Sequence, residues 1–159
     1  LERRYRQHRL FEPLQTTTMI DRSGIEDILP HRDSMLLLDE IVAIDRDEKL
    51  IEARRLLRDD DLGFSGHFPE HEVYPGVLQI EMSGQLGLCL GLLLANERQS
   101  DMRLWKVHKA VFVSELQPGD EVEVLANVIE DTGSTICCAG QCLTGGKIAS
   151  FSIIEAVYV

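Results

Sequence analysis

Positive charge is what this chain is short of. Sixteen lysines and arginines face 27 aspartates and glutamates, for a formal net charge of −11. A surface of that sign repels phosphate backbones, so no nucleic-acid partner is expected. Cysteine is sparse as well, with four residues at positions 89, 137, 138 and 142. No two form a C-x-x-C pair, and adjacent Cys137 and Cys138 would face opposite sides of a strand. They read as reduced apolar fillers in a cytoplasmic protein. The chain has no Gly-x-Ser-x-Gly elbow and no nucleotide-binding loop. Its N-terminus has no apolar run, so no signal peptide is expected. There is no internal repeat or linker, and 159 residues suffice for one domain with a real core.

What is present concentrates in one stretch, Gly66-His67-Phe68-Pro69-Glu70-His71-Glu72-Val73-Tyr74-Pro75-Gly76-Val77-Leu78-Gln79-Ile80-Glu81. Pro69 and Pro75 make its first half a loop. The spacing predicts a helix from Gly76, in which Glu81 is the only charge as far as Ala95. Apolar on every side, such a helix is expected to be buried. Gln79, Glu81, Ser83 and Gln85 in its first half argue against a membrane span. Glu81 lies about 7.5 Å of rise beyond Gly76. Burial should raise its pKa and keep it protonated. His67 stands in the loop before the helix, where the first helical amides are free. A histidine, a carboxylic acid and free amides suit proton abstraction beside a carbonyl with loss of a leaving group. A hydrogen-bonded loop histidine and a glutamate paired with a core arginine remain the alternative. His67 and His71 are four apart, but Pro69 prevents a shared helical face, so no metal is expected.

Residues 1–18 differ from the rest. They are basic, with Arg3, Arg4, Arg6 and Arg9, and carry no strand or turn signal. A loose extension or a remnant of cloning is expected, with a basic docking arm as the alternative. Residues 19–159 form the single domain. Ser23 and Glu26 make a capping-box pattern that opens a brief helix, which Pro30 stops. Strands are predicted over Met35–Ile44 and Lys49–Leu57, with Arg54 and Arg55 on opposite faces. Asp59, Asp60 and Asp61 read as a solvated turn. In the long helix Gly84, Gly87 and Gly91 share one face, which implies a sheet packed very close. Four strands follow the helix: Leu104–Ser114, Glu121–Glu130, Thr135–Leu143 and Ile148–Val159. In the second of them Val122, Val124, Ala126 and Val128 point one way. The architecture is α+β, with helix and sheet sharing one core.

Several strings together resemble the FabZ-type β-hydroxyacyl-[acyl carrier protein] dehydratases. They are Leu29-Pro30-His31-Arg32, the apolar run ending in Leu38-Asp39, Gly66-His67-Phe68-Pro69, Pro75-Gly76-Val77-Leu78, Glu81, Gln85 and Pro118-Gly119-Asp120. The resemblance runs from about Ile25 to the C-terminus. It implies a hotdog fold, a curved antiparallel sheet wrapped around one long buried central helix. It also implies a homodimer with shared active sites, or a trimer of dimers, and no cofactor. His67 of one subunit would work with Glu81 of the other. Val73 would orient His67, and the Gly76 amide would hold the thioester carbonyl. Gln85 and Tyr74 would belong to the substrate site, with Trp105 and Phe151 further candidates to line an acyl tunnel. The substrate would be a 3-hydroxyacyl chain on acyl carrier protein, the product a trans-2-enoyl thioester. Glu70, His71 and Glu72 depart from the family pattern, as do Met82, Ser83 and Gly84. Lys106 and Lys109, with Arg98, Arg103 and His108, are candidates for docking the acidic carrier. A hotdog thioesterase and a non-catalytic hotdog partner subunit are the competing readings.

Overall fold

The computed structural model describes residues 2–15, 17–95 and 101–159, so the docking candidate Arg98 lies outside the described residues. Two short helices, α1 (Glu2–Tyr5) and α2 (Arg22–Ile28), flank a two-residue strand β1 (Ile20–Asp21). Then come β2 (Glu40–Asp45), β3 (Leu50–Leu56), the long helix α3 (Gly76–Leu94), and β4 (Met102–Phe112), β5 (Glu121–Asp131), β6 (Thr135–Thr144) and β7 (Lys147–Tyr158). They form one antiparallel sheet in the order β1-β2-β3-β5-β6-β7-β4. The sheet wraps α3, which packs mainly on β5, β6 and β7.

The glycine stripe explains how closely. A Cβ on Gly91 would lie 2.7 Å from Ile136 Cδ1, one on Gly87 3.0 Å from Cys138 Sγ, and one on Gly84 3.1 Å from Ile154 Cδ1. The helix is seated on β6 and β7 at a distance that side chains would not permit. Beneath it Val122, Val124, Ala126 and Val128 are all buried, as their alternation requires.

Four expectations are corrected. Within one chain α3 is not buried all round: Met82, Leu86, Cys89 and Leu90 are enclosed, but Val77 is 71% exposed and Ile80 and Leu88 are half-buried. The cap of α2 is Asp21, whose carboxylate accepts from Gly24 N at 2.9 Å, not Ser23. The strand predicted from Met35 begins only at Glu40. A 3₁₀ turn at Asp33–Met35 precedes it, and Gln85 occupies the Leu37 N–H and the Met35 carbonyl that a ladder would need. The acidic turn is not simply solvated. Arg55, 6% exposed on the face opposite exposed Arg54, pairs with Asp61 and with Asp39, the latter at 2.9 Å.

The arm at the N-terminus, expected to be loose, lies on the outer face of the sheet. Gln141, fully buried, accepts from Leu10 N at 2.8 Å and donates to the carbonyls of Tyr5 and His8 at 2.9 and 3.0 Å. Tyr5 stacks on Phe151 with centroids 5.0 Å apart, and Arg9 meets Glu123 at 2.7 Å.

Candidate active site

The loop before α3 is built to present one imidazole. Gly66 takes φ +83°, a left-handed conformation that favours glycine. Asp61, held by Arg55, accepts from Arg58 N at 2.8 Å and so closes the preceding turn. Tyr74 N donates to Leu116 O at 2.8 Å and pins the far end of the loop. Between these anchors His67 is exposed, with Nδ1 2.8 Å from Val73 O. A carbonyl only accepts, so Nδ1 carries a proton, and in the neutral ring the lone pair would lie on Nε2. The orienting role expected of Val73 thus has its hydrogen bond.

Gly76 is the first residue of α3, where amides lack intrahelical acceptors and carry partial positive charge. A Cβ there would sit 2.6 Å from the Phe112 ring, so the end of β4 closes directly over the helix start.

Glu81 lies on the open side of α3. Gln85 Nε2 donates to its Oε1 at 2.9 Å, and His31 Nε2 stands 3.3 Å from the same oxygen. These contacts overturn the expected ionisation. The hydrogen bond from His31 lowers the pKa of Glu81 below the ordinary carboxylate value; burial opposes it, and Gln85 and the charge of His31 reinforce it. Burial alone pushes the other way, but two donors on one oxygen outweigh it. The core arginine pairs elsewhere, with Asp39 and Asp61, so it does not neutralise Glu81.

His31, Glu81 and Gln85 form the polar end of a cavity of about 140 Å³. Ile80, Gly84 and Leu88 of α3 and Met102, Ile136 and Ile154 of the sheet make its apolar walls. His67 does not line it. One chain therefore brings together His67, Val73 and Gly76 along the loop and helix start, and Glu81 with Gln85 in the cavity.

Other candidates fall outside. Tyr74 is 1% exposed, packed on Phe64 at 5.4 Å, and burial pushes its phenol up to about 12. It is a core residue and does not line the cavity. Phe151 is occupied by Tyr5, and Trp105 is 63% exposed on β4. His71 pairs with Glu115 at 2.9 Å. Lys106 and Arg103 are exposed on β4 and Lys109 is half-buried, while neighbouring His108 contacts Glu155 at 2.7 Å. His31 is the residue that sequence reasoning did not place in the site. It stood in a quoted string, but no spacing links it to a helix fifty positions away.

Comparison with known proteins supplies the family. The model of the FabA-like domain family matches residues 29–151. A 3-hydroxyacyl-[acyl-carrier-protein] dehydratase FabZ of Nitratiruptor sp. is 33% identical over 147 residues, covering 89% of this chain and 99% of that protein. Its namesake from Chlamydia abortus is 33% identical over 149 residues, covering 89% and 97%. Two solved structures share the fold at low identity. The dehydratase heterocomplex ApeI:P of Xenorhabdus doucetiae has a TM-score of 0.70 at 16% identity, covering 85% of this chain and 90% of its own. A mutant thioesterase from Pseudomonas aeruginosa has a TM-score of 0.68 at 18%, covering 88% and 94%. The antiparallel sheet around one central helix is thus the hotdog fold, and over nearly the full length of its relatives the chain belongs to the FabA-like domain family, among the FabZ-type dehydratases.

Proposed function

We propose that the chain is a hydro-lyase that dehydrates (R)-3-hydroxyacyl thioesters on acyl carrier protein to trans-2-enoyl thioesters, in fatty acid or related acyl-chain biosynthesis. The observation that carries the residue assignment is the Nδ1 contact of His67 with Val73 O at 2.8 Å, which leaves Nε2 as a base. In this reading Nε2 takes the C2 proton. The Gly76 amide and the helix start hold the thioester oxygen as charge develops there. The C2–H electron pair becomes the C2=C3 bond, the C3–O bond breaks, and Glu81, in the fraction that has taken a proton from solvent, hands it to the departing hydroxyl, which leaves as water.

The two groups would come from different subunits. His67 does not line the cavity of Glu81, while α3 shows a half-open side and β4 an unpaired edge bearing Leu104, Trp105 and Val107. Such an edge and face favour a second copy of the chain over water. A homodimer would set His67 against the partner's Glu81. The carrier would dock on the cations of β4, Arg103, Lys106 and Lys109, in a soluble cytoplasmic setting. Mutating Lys106 and Lys109 together should then weaken turnover of carrier-linked substrates; unchanged kinetics would remove that surface.

The test is ultraviolet detection of enoyl thioester from 3-hydroxyacyl substrates. His67→Ala and Glu81→Gln should each abolish it. An ionised Glu81 would also suit water activation in a thioesterase. Release of free thiol without enoyl product would establish that activity instead.

A further inference from the structure

The sheet carries a second buried surface, on the side away from α3. Ala43, Glu52, Leu125, Gln141 and Phe151 follow one another in register across β2, β3, β5, β6 and β7. None is more than 8% exposed, and Ala139 and Leu143 on the flanking rows are buried too. Val124 and Ala126, on either side of Leu125, belong to the core around α3, so this row faces outward. The outer face of an antiparallel sheet is commonly solvated. Here the N-terminal arm covers its middle, and three sheet side chains hold it in different ways. Gln141 takes only main-chain groups, Leu10 N on its oxygen and the carbonyls of Tyr5 and His8 on its nitrogen. Phe151 takes the Tyr5 ring, and Glu123 takes the guanidinium of Arg9, four residues on.

We propose that this outer face is a peptide-binding site for which the arm is an exchangeable ligand, so that the arm of a second copy can take the place of the chain's own. The ligand class is a short cationic segment with an aromatic ring four residues ahead of an arginine. The acids of the face, Glu52 and Glu123, complement the arginines of the arm and disfavour a second sheet stacked on the same rows. Between α1 and β1 the described residues of the arm form no strand, so the arm lifts off without breaking a ladder. Its main chain is read by one side chain, which leaves the sheet's own hydrogen bonds untouched. Arg9 Nη2 is enclosed without a hydrogen bond, a cost that leaves the native fit improvable. Exchange of an identical segment between copies preserves each of these contacts. The site lies across the sheet from the Glu81 cavity, whose walls Ile136, Cys138 and Ile154 belong to the α3 side, and it is independent of the dehydration reading.

The experiment uses the whole chain. A protease site placed between Gln15 and Met19 lets the protein fold first and the tether be cut afterwards. While tethered, the arm competes at an effective concentration on the order of millimolar, so cutting makes exchange visible. A fluorescent peptide of residues 2–15 is then added and its anisotropy followed. Saturable binding is expected, with release of the cut arm detected by mass spectrometry. Tyr5→Ala and Arg9→Glu in the peptide should each weaken binding about tenfold, since each removes one side-chain anchor. Gln141→Ala in the protein should weaken all these peptides alike, because Gln141 reads main chain. Unchanged anisotropy up to millimolar peptide would overturn the proposal. So would equal binding of a scrambled peptide, which would mean charge attraction alone. Unfolding on cutting, seen by circular dichroism, would overturn it as well, because the arm would then be part of the fold and not a ligand. Enoyl formation by the cut protein is a separate readout: its absence from uncut and cut protein alike would bear on the dehydration reading and leave the peptide result standing.

Discussion

Gln85 ties the acid to the scaffold. Its amide accepts from Leu37 N at 2.9 Å and donates to Met35 O at 2.7 Å as well as to Glu81. Gln85→Leu leaves two backbone groups and the carboxylate short of partners. Each unmet buried group costs about 1–3 kcal/mol, so a clear drop in chemical denaturation midpoint is expected. Turnover should fall through kcat more than KM, because Glu81 loses its alignment. The ionisation of Glu81 also has a sign in stability. Its folded pKa lies below its unfolded value, so the carboxylate contributes stability above the unfolded pKa and loses it as pH falls through the folded one. The melting temperature of wild type relative to Glu81→Gln should therefore decline on acidification below the ordinary carboxylate range. A difference independent of pH would contradict the pairing with His31.

Helix α3 places the chemistry by its glycines. Gly91→Ala gains up to about 1 kcal/mol of helix propensity but moves Ile136 Cδ1, which lies 2.7 Å from the new Cβ, so the net change should be small. Gly91→Leu has no such room and should destabilise by about 1–3 kcal/mol, measurable by urea unfolding. Gly84 lies one turn beyond Glu81 and lines the cavity. Gly84→Leu should fill it and lower kcat/KM for long acyl chains more than for short ones, in a series of substrates of rising length. An equal loss at all lengths would mean the acyl chain lies elsewhere.

For the whole molecule, the proposed division of the site between subunits would make a complementation test. His67→Ala and Glu81→Gln homodimers should both be inactive. Subunit exchange at equal amounts gives mixed dimers in which one of two sites keeps both groups, so about a quarter of wild-type activity should return. Sites contained in one chain would show no recovery. The N-terminal arm belongs to this scale too, since it closes the outer sheet face far along the sequence. Deleting residues 1–13 strips Gln141 of three hydrogen bonds and Phe151 of its stacking partner. A stability loss of about 1–3 kcal/mol is expected after the ordering entropy of the arm is recovered, read as a lower melting temperature.

Local periodicity was enough to set out the long helix, the four strands after it, the loop that carries His67 and the close contact implied by Gly84, Gly87 and Gly91. These follow from chain geometry, because helical and strand spacing and the constraints of proline and glycine act between near neighbours. What periodicity left open was decided by contacts between residues far apart in the chain. Gln85 took the backbone groups of Met35 and Leu37 and so delayed β2 to Glu40. Arg55 drew in Asp61 from a turn that reads as solvated. Gln141 captured an arm that carries no structural signal of its own. The charge of Glu81 is the sharpest case: burial in an apolar helix argues for a neutral acid, and the tertiary contacts of His31 and Gln85 with one of its oxygens favour the carboxylate instead.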